Sequence, residues 1–311
     1  MTPLISIIVP NYNHYNYLQQ RLESIFNQTY QNFEVILLDD CSTDASVQLL
    51  QTYANHPKVS HFIINKQNSG SPFKQWQKGI DLAKGDYIWI AESDDYCNAA
   101  FLEKMMELFN EDKNAGIAYC QTIDVNDKGE TLLHRIQYTK QFKPNIWEHN
   151  FVIEGISFVK NYMSVKNVIP NASALIFKKE LVDSHIFSKS LLQMKMCGDW
   201  FFWIQLSLKT KVAFLAEALN YFRNHEGISR NHYTTSQKKL RLLEEKEVLD
   251  LLFKNNFYNV KSEANLYQRW FALNGFSSLF SSMFYHIKLE HTSFVKFVFY
   301  FIQFKLRKKL Q

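Results

Sequence analysis

Acidic residues gather in this sequence where short apolar runs stop. The run 33–38 is followed at once by Asp39-Asp40-Cys41-Ser42-Thr43-Asp44, and the run 87–91 by Glu92-Ser93-Asp94-Asp95. A third run, 4–9, ends in Pro10-Asn11-Tyr12-Asn13. If these runs are neighbouring strands, three or more carboxylates converge on one sheet edge. Carboxylates that close repel one another, and a cation is their natural neutraliser. A hard divalent ion, Mg²⁺ or Mn²⁺, held by one or two carboxylates plus phosphate oxygens suits the chemistry. Each cluster also has a plainer reading. Asp, Ser and Thr are preferred N-cap residues, so 40–44 would equally start a helix, and 92–95 would equally form a solvated turn. Both clusters standing at strand ends favours a site. One more acid, Asp199, precedes the apolar helical stretch Trp200-Phe201-Phe202-Trp203, where capping is again the plain alternative.

The elements that must position these residues read as strands at 4–9, 33–38, 59–64, 87–91 and 116–121. Helical spacing falls between them at 17–26, 44–53, 73–83 and 101–109. Strands alternating with helices of about ten residues imply right-handed βαβ units and a buried, mainly parallel sheet, with ligands beyond the strands' carboxyl ends. Residues 122–225 are less regular: a turn at Asn126-Asp127-Lys128-Gly129, strands at 172–177 and 212–215, and a helix at 200–208. From about 235 long helical patterns take over, at 238–254 and 263–282, before an aromatic-rich tail. The fold class is therefore α/β, followed by a helical C-terminal region.

Composition narrows the function. With 46% hydrophobic and 21% charged residues, the 311-residue chain has a folded profile. Its net charge of +5 is too small for a general nucleic-acid binder. Residues 287–311 carry six basic residues against Glu290, which accounts for the whole excess. Four scattered cysteines without a C-x-x-C pair fit a reducing compartment. No signal peptide and no run of about 18 apolar residues is present, so a cytoplasmic place is expected, or one peripheral on the cytoplasmic face. The aromatic stretch 293–304 followed by Lys305-Leu306-Arg307-Lys308-Lys309 suits an anionic membrane surface; a core helix or a homodimer contact is the alternative.

The three strand-end motifs, Ser6-Ile7-Ile8-Val9-Pro10-Asn11-Tyr12-Asn13, Val35-Ile36-Leu37-Leu38-Asp39-Asp40-Cys41-Ser42-Thr43-Asp44 and Tyr87-Ile88-Trp89-Ile90-Ala91-Glu92-Ser93-Asp94-Asp95, resemble family 2 glycosyltransferases of the Rossmann-like GT-A fold. The likeness covers about residues 4–230. It implies an inverting transferase that uses a nucleotide-sugar, typically UDP-linked, with Mn²⁺ or Mg²⁺. By position it places Pro10 and Tyr12 at the nucleotide, Asp40 at its base or ribose with Asp39 beside it, and Glu92-Ser93-Asp94 where the family has Asp-x-Asp. Asp94 is then the metal ligand. Cys41 stands where glycine is frequent, which implies that a tighter turn is not essential there. Trp76-Gln77 replaces a common Arg-Asn pair, leaving Lys74 to face the diphosphate and Lys78 on a solvated helix face.

In the second half, Gly198-Asp199 stands for the family's Glu-Asp and makes Asp199 the base that deprotonates the acceptor. Tyr221-Phe222-Arg223-Asn224-His225-Glu226-Gly227-Ile228-Ser229 is similar to a Tyr-Arg-x-His-x-x-Ser ending, with Arg223 over the diphosphate and His225 at the metal. The other histidines, His14, His56, His61 and His149 among them, read as surface or core, and Trp76 and residues 200–203 read as core. The expected division is a glycosyltransferase domain at 1–230, with a donor half at 1–121 and an acceptor half at 122–230. A helical region with an amphipathic basic tail follows at 231–311. The expected function is sugar transfer to a saccharide or lipid-linked saccharide in cell-surface polysaccharide synthesis. A metal-dependent sugar nucleotidyltransferase would want a glycine-rich loop after the first strand, and residues 10–13 contain no glycine. A non-catalytic sugar- or nucleotide-binding module is disfavoured by the intact Asp94 and Asp199.

Overall fold

A computed structural model describes residues 2–225 and 233–309. The elements run β1 (Ile5–Asn11), α1 (Tyr15–Phe26), β2 (Phe33–Asp39), α2 (Ser46–Tyr53), β3 (Val59–Ile64), α3 (Pro72–Leu82), β4 (Tyr87–Ile90), β5 (Tyr96–Cys97), α4 (Phe101–Glu111) and β6 (Ala115–Val125). Then come β7 (Thr131–His134), α5 (Ile136–Thr139), β8 (Phe151–Glu154), α6 (Gly155–Phe158), β9 (Leu175–Lys178), α7 (Lys189–Gln193), α8 (Gly198–Ser207) and β10 (Lys211–Arg223). Helices α9 (Thr235–Lys254), α10 (Val260–Ala272) and α11 (Phe294–Lys309) close the described chain.

One ten-stranded sheet holds the order β3-β2-β1-β4-β9-β6-β10-β5, with β7 on β6 and β8 on β10. It is parallel through β3-β2-β1-β4 and again between β6 and β10, while β9 runs antiparallel to both its neighbours. Successive side chains of β1 and β2 point to opposite faces, and both faces are buried. Ile7, Val9, Val35 and Leu37 pack with α1 and α4 residues such as Leu22 and Phe101. Ile8, Ile36 and Leu38 pack against α3 and α8 residues such as Trp76 and Trp203. Burial on both faces is why these strands read as unbroken apolar runs. At Gly79 a Cβ would lie 2.4 Å from Ile8 Cγ2, so glycine lets α3 settle on β1.

Several expected elements change extent: the strand expected at 116–121 runs on to Val125, and the one expected at 172–177 begins only at Leu175, after a 3₁₀ turn. The helix expected over 263–282 stops at Ala272, where the Asn274 side chain donates to the Trp270 carbonyl at 2.8 Å and two 3₁₀ turns follow. Serines at 277, 278, 281 and 282 compete for backbone hydrogen bonds there and favour turns over helix. The strand expected at 212–215 continues to Arg223 through register shifts between Leu215 and Asn220, where Glu217 interrupts the apolar pattern. A third buried cluster joins Leu266, Trp270 and Phe271 of α10 to Phe297 and Phe301 of α11. Among the described residues no helix is long and apolar enough to cross a membrane.

Candidate active site

Parallel pairing sets Asn11 beside Asp39 at the carboxyl ends of β1 and β2. The two adjacent acids at that edge then take different tasks. Asp39 is fully buried: its carboxylate accepts from Asn11 Nδ2 and the Ser42 backbone N–H, both at 2.8 Å, and from Ser42 Oγ at 2.7 Å. It fastens the two strand ends and does not reach the cavity beyond them. Asp40 borders that cavity and holds the next loop, accepting from Asn65 Nδ2 (2.6 Å), Ser69 N (2.9 Å), Ser69 Oγ (2.7 Å) and Gln75 Nε2 (2.9 Å). Cys41 between Asp40 and Ser42 has φ 67°, the left-handed region. The glycine-like turn is therefore retained here with a cysteine in it, which corrects the expectation that a tight turn is dispensable.

The loop after β4 carries the second set. Trp76 Nε1 donates to Glu92 at 2.8 Å, and burial followed by the Asp94 charge pushes Glu92 up to about 8. Burial would raise Asp94, yet neighbouring His14 and a 3.1 Å hydrogen bond with His225 Nε2 outweigh it and hold this carboxyl low. Ligand atoms of His14, Asp94 and His225 all lie within 4.8 Å of one another. Two imidazoles and a carboxylate so placed fit a divalent cation. His14, expected as surface or core, is thus a site residue. It follows the tight Asn13 turn (φ 56°) after β1, and Ser93 Oγ, 2.8 Å from its Nδ1, orients the ring. Beneath the loop, fully buried Arg21 donates from Nε to the Glu92 carbonyl at 2.8 Å, a countercharge the sequence reading missed.

Several expected ligand residues point elsewhere. Ser93 is spent on His14. Lys74 donates to the Ser69 carbonyl at 2.7 Å; Lys78, expected on a solvated helix face and not as a ligand, donates to Asn65 Oδ1. Arg223 is 2% exposed and its guanidinium donates to the carbonyls of Asp94, Asn126 and Asp127, with the ring of Tyr17 4.9 Å away. It ties the acidic loop to the β6–β7 turn and does not line the cavity. Glu226 to Ser229 of the same motif lie outside the described residues.

Asp199 enters the cavity from the first turn of α8, where Asn167 Nδ2 donates to its Oδ2 at 2.9 Å. The preceding Gly198 has a steric reason: a Cβ there would sit 2.3 Å from the Phe73 ring, which occupies the space. Residues 200–203 are buried, as expected of core. The cavity measures about 860 Å³. Pro10, Tyr12, Asp40, Glu92, Asp94 and Asp95 line it from the sheet edge; Asp199, Trp200, Arg241, Glu245 and Arg269 line it from the helices.

The sequence pattern of the family described as Glycosyl transferase family 2 matches residues 6–167, more than half of the 311. The chain belongs to glycosyl transferase family 2. Among its relatives, TuaG of Bacillus subtilis, named for teichuronic acid biosynthesis, is 34% identical over 109 residues, covering 35% of this chain and 43% of that protein. The chondroitin synthase of Pasteurella multocida is 34% identical over 131 residues, covering 42% of this chain and 13% of the synthase. The matches thus span less than half the length of either relative. Staphylococcus aureus TarS 1–349, solved with UDP-GlcNAc, superposes with a TM-score of 0.62 at 18% identity over 99% of this chain and 92% of that one. The GT-A expectation for the fold stands.

Proposed function

We propose that this chain is an inverting glycosyltransferase that moves a sugar from a UDP-sugar to a saccharide or lipid-linked saccharide acceptor in cell-surface polysaccharide synthesis. The observation that carries the reading is that Asp94 and His14 line the same cavity as Asp199 but from different elements, with His225 hydrogen-bonded to Asp94 behind them. The family relatives named for teichuronic acid and chondroitin, and the UDP-GlcNAc complex of TarS, support the donor and acceptor classes. Asp199 accepts the proton of the acceptor hydroxyl as its oxygen bonds to the anomeric carbon, while the bond to the diphosphate breaks and UDP leaves. A single in-line displacement of this kind inverts the anomeric centre. His14, Asp94 and His225 would hold a divalent ion, whose charge would neutralise the diphosphate leaving group. Tyr12, 44% exposed at the cavity edge, stacks on the base, and Asp40 orders the loop beside the ribose.

Asp199→Asn tests the base. Transfer should fall by about 10² to 10⁴-fold with UDP affinity in Mn²⁺ unchanged, and normal turnover would remove Asp199 from that role. Mn²⁺ should support transfer at lower concentration than Mg²⁺; the reverse order would remove the histidines from the ion. The tail gives the site its address on the cytoplasmic leaflet, as a peripheral attachment. Val295, Phe299, Ile302 and Leu306 form one exposed apolar stripe on α11 beside exposed Lys296 and Arg307. Anionic lipid attracts such basic segments by about 1 kcal/mol per charge. Phe299→Ser with Ile302→Ser should lower sedimentation with phosphatidylglycerol vesicles, and equal partitioning would refute the attachment.

A further inference from the structure

The stretch that leads into α8 is held from outside by the C-terminal helices. Glu244 of α9 is 5% exposed, and its carboxylate receives three consecutive backbone N–H groups. Lys195 donates to Oε1, and Met196 and Cys197 donate to Oε2, each at 2.8 Å. Such charge-assisted bonds are about twice as strong as neutral ones. Cys197 is the N-cap of α8 but offers no side-chain cap, so the negative charge of Glu244 also stands at the positive end of that helix. One turn earlier on α9, Arg241 Nη1 donates to the Met196 carbonyl at 3.4 Å, and Cys197 Sγ donates back to the Arg241 carbonyl at 3.8 Å. The other end of the strap is tied to the donor side, where Ser71 Oγ donates to the Met194 carbonyl at 2.8 Å. Asp199 follows the strap by two residues.

We infer that Glu244 is a positioning residue for proton removal by Asp199, so that α9 completes the transfer site and is not merely packed beside it. The inference rests on the reading of Asp199 as base. Glu244 fixes where the strap ends and α8 begins, and that sets where the Asp199 carboxylate stands relative to an acceptor hydroxyl. Its carboxylate is saturated by the strap and does not line the cavity, so it touches neither donor nor acceptor. A displacement of about 1 Å at a reacting group lowers rate by up to 10²-fold without loss of substrate binding.

The experiment uses the full chain carrying Glu244→Gln or Glu244→Ala, with Asp199→Asn measured in parallel. Glutamine keeps the shape and its oxygen can still serve two of the three amides, while alanine serves none. The readouts are kcat for transfer and the affinity for UDP in Mn²⁺. The expected result is a kcat about tenfold lower for Gln and about 100-fold lower for Ala, with UDP affinity within twofold of wild type in both. An unchanged kcat in variants that bind UDP overturns the inference. UDP affinity falling in step with kcat also overturns it, because Glu244 would then be a general structural tie. Should Asp199→Asn bind UDP and turn over normally, the base reading itself fails, and with it this one. An inactive Asp199→Asn beside fully active Glu244 variants removes the positioning role alone.

Discussion

Replacing Gly198 with alanine asks whether one ring decides the residue before Asp199. The Cβ would lie 2.3, 2.5 and 2.7 Å from three carbons of the Phe73 ring, against the 3.5–4.0 Å of an ordinary carbon contact. The ring has little room to retreat. It is 3% exposed and meets Trp76 edge-on with centroids 4.9 Å apart, and the Trp76 indole in turn holds Glu92. Overpacking of this kind costs about 1–3 kcal/mol, and the helix propensity gained by removing glycine returns at most about 1 kcal/mol. The expected net loss is about 1–2 kcal/mol, read from urea unfolding of Gly198→Ala, Phe73→Leu and the double variant. Because both changes act on one space, the double variant should be more stable than the sum of the two losses by at least about 0.5 kcal/mol. Strict additivity, or a Gly198→Ala protein as stable as wild type, would refute the steric account. Glutamate at 198, which the family resemblance leads one to expect, should be worse still, since its longer side chain starts from the same Cβ.

Three other perturbations separate neighbouring roles. Ser93→Ala removes the partner that orients His14 and should weaken Mn²⁺-dependent UDP binding by about 10 to 100-fold; unchanged binding would take His14 out of the ion's surroundings. Cys41→Gly relieves an L-residue held at φ 67°, a conformation that costs about 1–2 kcal/mol. It should leave the urea midpoint equal or higher, and a lower midpoint would show that the thiol is itself required. Arg21→Met leaves the acidic loop without its buried countercharge and without the Glu92 carbonyl's donor. Unfolding stability should fall by about 3 kcal/mol, and a loss below about 1 kcal/mol would remove Arg21 as that countercharge.

The frame of the fold was legible because buried parallel strands are nearly continuous apolar runs, and because the turn-rich acidic segments stand where those runs stop. What the sequence could not separate was Asp39 from Asp40. Both are acids at one strand end, yet Asn11 and Ser42 surround the first, while Asn65 and Ser69 of the β3–α3 loop and Gln75 of α3 surround the second. Only Ser42 is local; the other partners lie 25 to 35 residues away, so the acids' own neighbourhood does not show which one holds the next loop. Arg223 failed for the same reason: its guanidinium is consumed by carbonyls of a turn about 100 residues earlier, which the sequence showed only as a turn. His14 was legible in principle: it directly follows Pro10-Asn11-Tyr12-Asn13 at the end of β1, and Asn13 is a residue type that readily adopts the left-handed turn found there.

His14 bears on how the site works. A carboxylate pair at two strand ends suggests a cation held by acids alone, whereas the structure surrounds Asp94 with imidazoles from the end of β1 and from just past β10. Burial and then the Asp94 charge push Glu92 up to about 8, leaving Asp94 as the low-lying carboxylate beside the two rings. The substitution of Glu for Asp at the first position of the acidic motif then has a physical meaning. The longer side chain reaches the Trp76 indole on α3 and joins the loop to the sheet's covering helix, which in the proposed reading leaves ion binding to Asp94 and the two histidines. Glu92→Gln should therefore preserve Mn²⁺-dependent UDP binding within a few-fold, and Asp94→Asn should abolish it. Equal losses in the two variants, read by calorimetry with UDP and Mn²⁺, would return Glu92 to the ion and undo this division of labour.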